Sequence, residues 1–171
     1  MLKVAILGPE STGKSALTEQ LAAYYHAEYV LEYAREYVEK LKVSYNYQDV
    51  CNIAQHQIEQ ELVFESSESK AEMVIFDTDL IFTKVWFAHC YETVPDFVSN
   101  RLQKGFFDVY LLCTPDIPWE PDPVREHGHD REYFFDWYQR EIELLKKPYH
   151  IISGIGELRL QSAIKVLDAL K

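Results

Sequence analysis

Gly8-Pro9-Glu10-Ser11-Thr12-Gly13-Lys14-Ser15 lies directly after the apolar run Leu2 to Leu7 and directly before a helical stretch from Ala16 to Tyr25. The segment satisfies G-x-x-x-x-G-K-[ST] in the strand, loop and helix context that this pattern requires. Successive main-chain N–H groups of such a loop, together with the positive end of the following helix, form a concave nest for a phosphate. Lys14 adds a mobile positive charge within reach of the β- and γ-phosphate oxygens of ATP, and the Ser15 hydroxyl is a ligand for Mg²⁺. Gly8, Glu10, Ser11, Thr12, Gly13, Lys14, Ser15 and Ala16 are therefore the expected nucleotide contacts.

Working outward, 171 residues with 47% hydrophobic content suffice for a core and are too few for two comfortable domains, so one domain spanning 1–171 is expected. With 28 acidic against 17 basic residues the net charge is −11, which argues against nucleic acid as a partner, because a polyanion needs clustered lysine and arginine. Cys51, Cys90 and Cys113 are widely spaced and form no C-x-x-C pair. They read as small core residues of a protein in a reducing compartment, the cytoplasm. Val4 to Leu7 is too short for a secretory apolar region, and no stretch approaches the roughly 20 apolar residues of a membrane span.

Short apolar runs alternate with stretches of helical period, the pattern of βαβ units. Five strands are expected, at Leu2 to Leu7, Glu28 to Leu31, Met73 to Asp77, Asp108 to Cys113 and Tyr149 to Ser153. The first, third and fourth read as buried on both faces. Leu17, Leu21 and Tyr24 mark one helix stripe, and Ile53, Ile58 and Leu62 a second. Phe134, Tyr138, Ile142 and Leu145 mark another, and Ile164, Leu167 and Leu170 the last. These stripes read as core. Thr114 to Asp130 carries Pro115, Pro118, Pro121, Pro123 and Gly128 without period, and is read as a lid loop at about 114–131. The expected class is α/β, a three-layer P-loop NTPase fold with a five-stranded parallel sheet and that lid.

Met73-Val74-Ile75-Phe76-Asp77 is an apolar strand ending in a carboxylate, which makes Asp77 the expected partner of Ser15 at the metal. Asp79, two residues on, points the same way if the extended conformation persists, so the two charges would share a cation. Glu32, Arg35 and Glu36 follow the second strand at helical spacing beside the carboxyl end of the sheet, where an acceptor substrate should sit. Glu32 is suited to orienting or deprotonating a hydroxyl, and Arg35 to holding a sugar or phosphate oxygen. The competing reading of this stretch is a surface ion-pair ladder extended by Glu39. Arg125 and Arg131, on or beside the lid, are placed to close over the phosphates. Gly154-Ile155-Gly156 gives a tight loop after the fifth strand, with Gly154 and Ile155 placed for contact with a base.

Four of these segments resemble the nicotinamide riboside kinase domain of NadR-type proteins, a branch of the P-loop kinases. They are GPESTGKS at 8–15, EYAREYVE at 32–39, IFDTD at 75–79, and PWEPDPVREHG leading into DREYF between 118 and 134. The first is shared with many NTPases, while the second and fourth are more particular. The resemblance implies transfer of the ATP γ-phosphoryl to the 5′-hydroxyl of nicotinamide riboside, with Mg²⁺ as the metal and a small nucleoside-like molecule as partner. It also implies a free-standing kinase without the adenylyltransferase and DNA-binding regions of larger members. Leu31 stands where the family carries a tryptophan, which leaves Tyr33 or Trp119 to supply an aromatic face. The residues themselves leave open another nucleoside or nucleotide as acceptor, and a regulatory nucleotide switch.

Overall fold

The computed structural model describes residues 1–66, 71–122 and 128–170. Its strands are β1 (Leu2–Leu7), β2 (Glu28–Val30), β3 (Met73–Asp77), β4 (Val109–Cys113) and β5 (Tyr149–Ile152). The helices are α1 (Lys14–Tyr25), α2 (Tyr33–Glu39), α3 (Tyr47–Ser66), α4 (Leu80–Tyr91), α5 (Asp96–Lys104), α6 (Arg131–Leu144) and α7 (Glu157–Asp168). The five strands form one parallel sheet in the order β2-β3-β1-β4-β5. After β1 the chain places β2 at one edge, fills in β3 between β2 and β1, and then crosses to add β4 and β5 on the other side. The carboxyl end of β1 is thus a point where the winding reverses, and the loop leaving it opens into a crevice.

The period-two alternation of side chains divides the core into two layers. Ala5, Leu7, Val74, Phe76, Tyr110 and Leu112 face one way, toward residues of α3 to α6 such as Ile81, Phe87, Val98 and Ile142. Val4, Ile6, Ile75, Val109 and Leu111 face the other, toward Leu17 and Leu21 of α1 and Ala163, Ile164 and Leu167 of α7. β3 and β4 are buried at every residue, as apolar runs without alternation require in a sheet covered on both faces.

Some expected core positions are not core. Tyr24, Leu62 and Leu170 are 55%, 46% and 45% exposed. On α1 it is Tyr25 that turns inward, its hydroxyl donating to Asp168 Oδ1 at 2.8 Å, with the Ile164 carbonyl of α7 3.2 Å away. Cys51 and Cys113 are buried, but Cys90 is exposed because it sits near the end of α4 where that helix leaves the core.

α3 and α5 are joined by a largely buried cluster that charge pattern did not announce. Arg101 donates through Nε to Glu61 Oε2 at 2.5 Å and through Nη2 to Glu65 Oε1 at 2.8 Å. Removing one partner would strand a buried charge, so the cluster fixes how the two helices meet. Leu111, fully buried at the centre of β4, tests the apolar layer. Leu111→Ala is expected to cost about 2–5 kcal/mol in denaturant unfolding, through lost transfer energy and the residual cavity, and a cost under about 1 kcal/mol would contradict the packing described.

Candidate functional site

The phosphate loop is shaped by contacts that exclude side chains. A Cβ on Gly8 would lie 2.8 Å from the Cys113 carbonyl, so only glycine lets β1 turn this close to β4. Gly13 has φ 72 and immediately precedes α1, while Ser11 reaches φ 55. Such left-handed residues alternating with right-handed ones build a nest of N–H groups. The loop is braced internally: the Thr12 hydroxyl donates to the Pro9 carbonyl at 2.9 Å, and Lys14 Nζ donates to the same oxygen at 3.0 Å.

Asp77 ends β3 and is 3% exposed, with neither carboxylate oxygen hydrogen-bonded. Burial pushes its pKa up, while the Lys14 charge and the nearby Ser15 and Thr78 hydroxyls pull it back. Glu32, the N-cap of α2, accepts a hydrogen bond from Thr78 Oγ1 at 3.2 Å. Burial also raises its pKa, opposed by Lys14 and reinforced by Asp77. Lys14 therefore serves two desolvated carboxylates. A buried acid with two orphan oxygens beside a hydroxyl is what a hard divalent cation such as Mg²⁺ takes as ligands, so Ser15 and Asp77 fit the metal role. Among the described residues no cluster of three or more acidic, histidine or cysteine side chains forms a closed metal cage.

The expected pairing of Asp77 with Asp79 is corrected. Thr78 has φ 78, which breaks the extended run and turns Asp79 away. Asp79 instead caps α4, with Oδ1 accepting from Ile81 N and Oδ2 from the Tyr110 hydroxyl, both at 3.0 Å. Burial pushes its pKa up to about 7. The carboxylate that neighbours Asp77 is Glu32, from a different strand end.

A cavity of about 770 Å³, counting its open mouth, adjoins the loop at Pro9 and Glu10. Glu32, Arg35 and Val38 form one wall, Phe82, Val85, Trp86 and His89 of α4 another, and Phe134 and Tyr138 of α6 a third, with Tyr45 edge-on to Trp86. Glu10, expected on the nucleotide, thus faces the neighbouring pocket. Arg35 is tied to Asp122 of the lid at 2.6 Å and to Glu39 at 2.9 Å. Three substrate contacts expected from sequence lie elsewhere. Glu36 is 61% exposed and bridged to Lys40, as in the ion-pair ladder. Tyr33 stacks on His56 at 3.7 Å between centroids. Trp119 packs on Gly128, where an added Cβ would come within 2.6 Å of its ring. α4 is apolar on nearly every side and so shows no stripe, yet Phe82, Trp86 and His89 at spacings of four and three were the available signal.

Ile117 packs against Gly13, where a Cβ would meet its Cδ1 at 3.0 Å. Arg131 donates through Nη1 to the Ser11 and Ile117 carbonyls at 3.3 and 2.7 Å, which joins the loop's backbone to the segment after β4. Arg125 lies outside the described residues. Gly154, with φ 91, donates through N to Asp116 Oδ2 at 2.6 Å, and Ile155 beside it is 55% exposed. Ser15 and Ala16 are exposed on the first turn of α1.

Residues 3–159 match the AAA domain family. The chain belongs to that family. This AAA domain is 29% identical over 153 residues to the trifunctional NAD biosynthesis/regulator protein NadR of Salmonella typhimurium, covering 84% of the chain and 35% of that protein. It is 30% identical over 138 residues to the NadR protein of Escherichia coli, covering 77% of the chain and 33% of that protein. The chain thus spans about a third of the length of these relatives. A crystal structure of a NadR protein in complex with NR superposes with TM-score 0.75 at 25% identity, covering 98% of this chain and 51% of that one. Thymidylate kinase from Ehrlichia chaffeensis, at 12% identity and TM-score 0.70 over 99% of this chain and 98% of its own, shares the fold. No helix among the described residues is long and apolar enough to cross a membrane.

The sign of the Asp79 shift makes a prediction. A carboxyl raised from its ordinary value to about 7 favours the folded state when protonated, so this contribution is fully present below the ordinary carboxylate range and is lost as pH rises through about 7. Thermal unfolding from pH 5 to pH 8 should show a decline that Asp79→Asn flattens. An unchanged decline in that variant would mean that Asp79 is not its source.

Proposed function

We propose that this chain is an ATP-dependent nucleoside kinase whose acceptor is the 5′-hydroxyl of nicotinamide riboside, giving nicotinamide mononucleotide. The observation that carries this reading is the aromatic pocket opening directly beside the phosphate loop, with Glu32 and Lys14 at the junction. A nucleoside seated there presents its hydroxyl to a nucleotide held by the loop, and such positioning supplies most of the rate in phosphoryl transfer. The ring of nicotinamide riboside carries a fixed positive charge. Trp86 offers an aromatic face, and Glu10 and Glu32 offer negative charge, a combination that suits a cation more than a neutral base. Likeness to NadR proteins supports the same acceptor.

In this reading the substrate oxygen bonds to the γ-phosphorus as the bond to the bridging oxygen breaks, and ADP leaves with that electron pair. Glu32, a carboxylate made more basic by burial, receives the hydroxyl proton. Lys14 leaves the Pro9 carbonyl to neutralise charge on the phosphates. Mg²⁺, held by Ser15 and Asp77, supplies further neutralisation when bound. Arg35 orients the sugar from the pocket wall, and Gly154 and Ile155 contact the adenine.

A coupled ADP-release screen over ribonucleosides tests the proposal. Turnover of roughly 1–100 per second with nicotinamide riboside is expected, against on the order of a thousandth per second for an unassisted switch. Stimulation by a different nucleoside alone would replace the acceptor, and acceptor-independent hydrolysis alone would favour the switch. Lys14→Ala should lower turnover by at least ~10²-fold, the usual scale for losing a charge-stabilising donor, and full turnover would remove the loop from the mechanism.

A further inference from the structure

Arg159 is 3% exposed and does not line the cavity beside the phosphate loop. Its Nη1 donates to the Thr12 carbonyl in the phosphate loop. Nε donates to the Gly154 carbonyl at 2.7 Å, and Nη2 to the Thr114 carbonyl at 2.9 Å. One planar fork thereby joins the phosphate loop, the root of the lid and the loop after β5. Asp116 closes the network, accepting from Gly154 N and from Thr114 Oγ1, both at 2.6 Å.

We propose that Arg159, seconded by Arg131, is a positioning residue that sets the phosphate-binding conformation of the loop by holding its carbonyls from behind. In a trans peptide the C=O and the following N–H point in opposite directions, and the described chain has no cis bond. Pinning the Thr12 carbonyl on Arg159 therefore turns the Gly13 N–H away from Arg159, toward the open side of the loop. Arg131 does the same one peptide earlier, where its grip on the Ser11 carbonyl turns out the Thr12 N–H. Neighbouring peptide dipoles that align in this way repel one another, and two cations behind them offset that cost. Preorganised donors of this kind need no rearrangement when an anion arrives. Arginine is required because three separated acceptors must be met by one rigid fork, which an ammonium group cannot do.

The proposal rests on reading the loop as a triphosphate site, and the test separates the two. Inorganic triphosphate and ATP, each with Mg²⁺, are titrated calorimetrically into the wild-type chain, Arg159→Lys and Arg131→Lys, well below each unfolding midpoint. Arg159→Lys keeps the charge and loses the fork. It should bind both ligands at least about tenfold more weakly, by the same factor for each, as expected when charge-assisted hydrogen bonds behind a shared phosphate cradle are lost. A folded Arg159→Lys chain that binds triphosphate within about twofold of wild type overturns the proposal while leaving the loop's role intact. A loss confined to ATP also overturns it, because the base-side loop would then be the element held. If Arg159→Lys does not fold, Arg131→Lys decides: a loss of about threefold or more for both ligands sustains the proposal, and none overturns it. A wild-type chain that binds neither ligand removes the triphosphate reading and the proposal together.

Discussion

A lysine that is 9% exposed, set near two desolvated carboxylates on different strand ends, is the electrostatic constraint around which this site is organised. Placing the buried Asp77 near Glu32, where the two charges repel, is tolerable because the Lys14 charge offsets both. Their arrangement requires β1, β2 and β3 to end at one edge of the sheet, in the β2-β3-β1 order observed. It also requires the chain to leave β1 without a side chain at Gly8, since the Cys113 backbone of β4 occupies that space. Sheet order, loop shape and local charge thus follow from a single local requirement.

Division of the surroundings by chemistry follows as well. On one side of the loop, arginines grip carbonyls: Arg159 and Arg131 stand behind the backbone. On the other side lies an aromatic pocket with carboxylates at its rim. The lid root bridges the two, since Asp116 joins the Arg159 network and Asp122 pairs with Arg35 on the pocket wall. A nucleotide on the loop and an acceptor in the pocket would therefore both bear on this segment.

Much of this was legible in the sequence for physical reasons. The apolar runs at β1, β3 and β4 are buried on both faces, so their composition alone marks them, and the loop motif fixes where the site opens. Asp77 was readable as a carboxylate at the end of such a run. Asp79 was misplaced because alternation assumes an extended chain, whereas Thr78 adopts a positive φ that no pattern signals. Trp86 and His89 were missed because α4 is apolar nearly all round and shows no stripe to contrast with. Arg159 could not be read at all, since its role depends on three loops that meet only in the folded chain. Tyr33 was near the site in sequence but is drawn off by stacking on His56.

The central claim is that main-chain amides from Ser11 to Ser15 hold an anionic triphosphate while Lys14 leaves the Pro9 carbonyl to meet it. A crystal structure with a nonhydrolysable ATP analogue and Mg²⁺ tests this most directly. The account predicts phosphate oxygens against those amides, Lys14 Nζ on the phosphates, and a metal ion between Ser15 and Asp77. A triphosphate bound away from the loop, with Lys14 still on the Pro9 carbonyl, would contradict it.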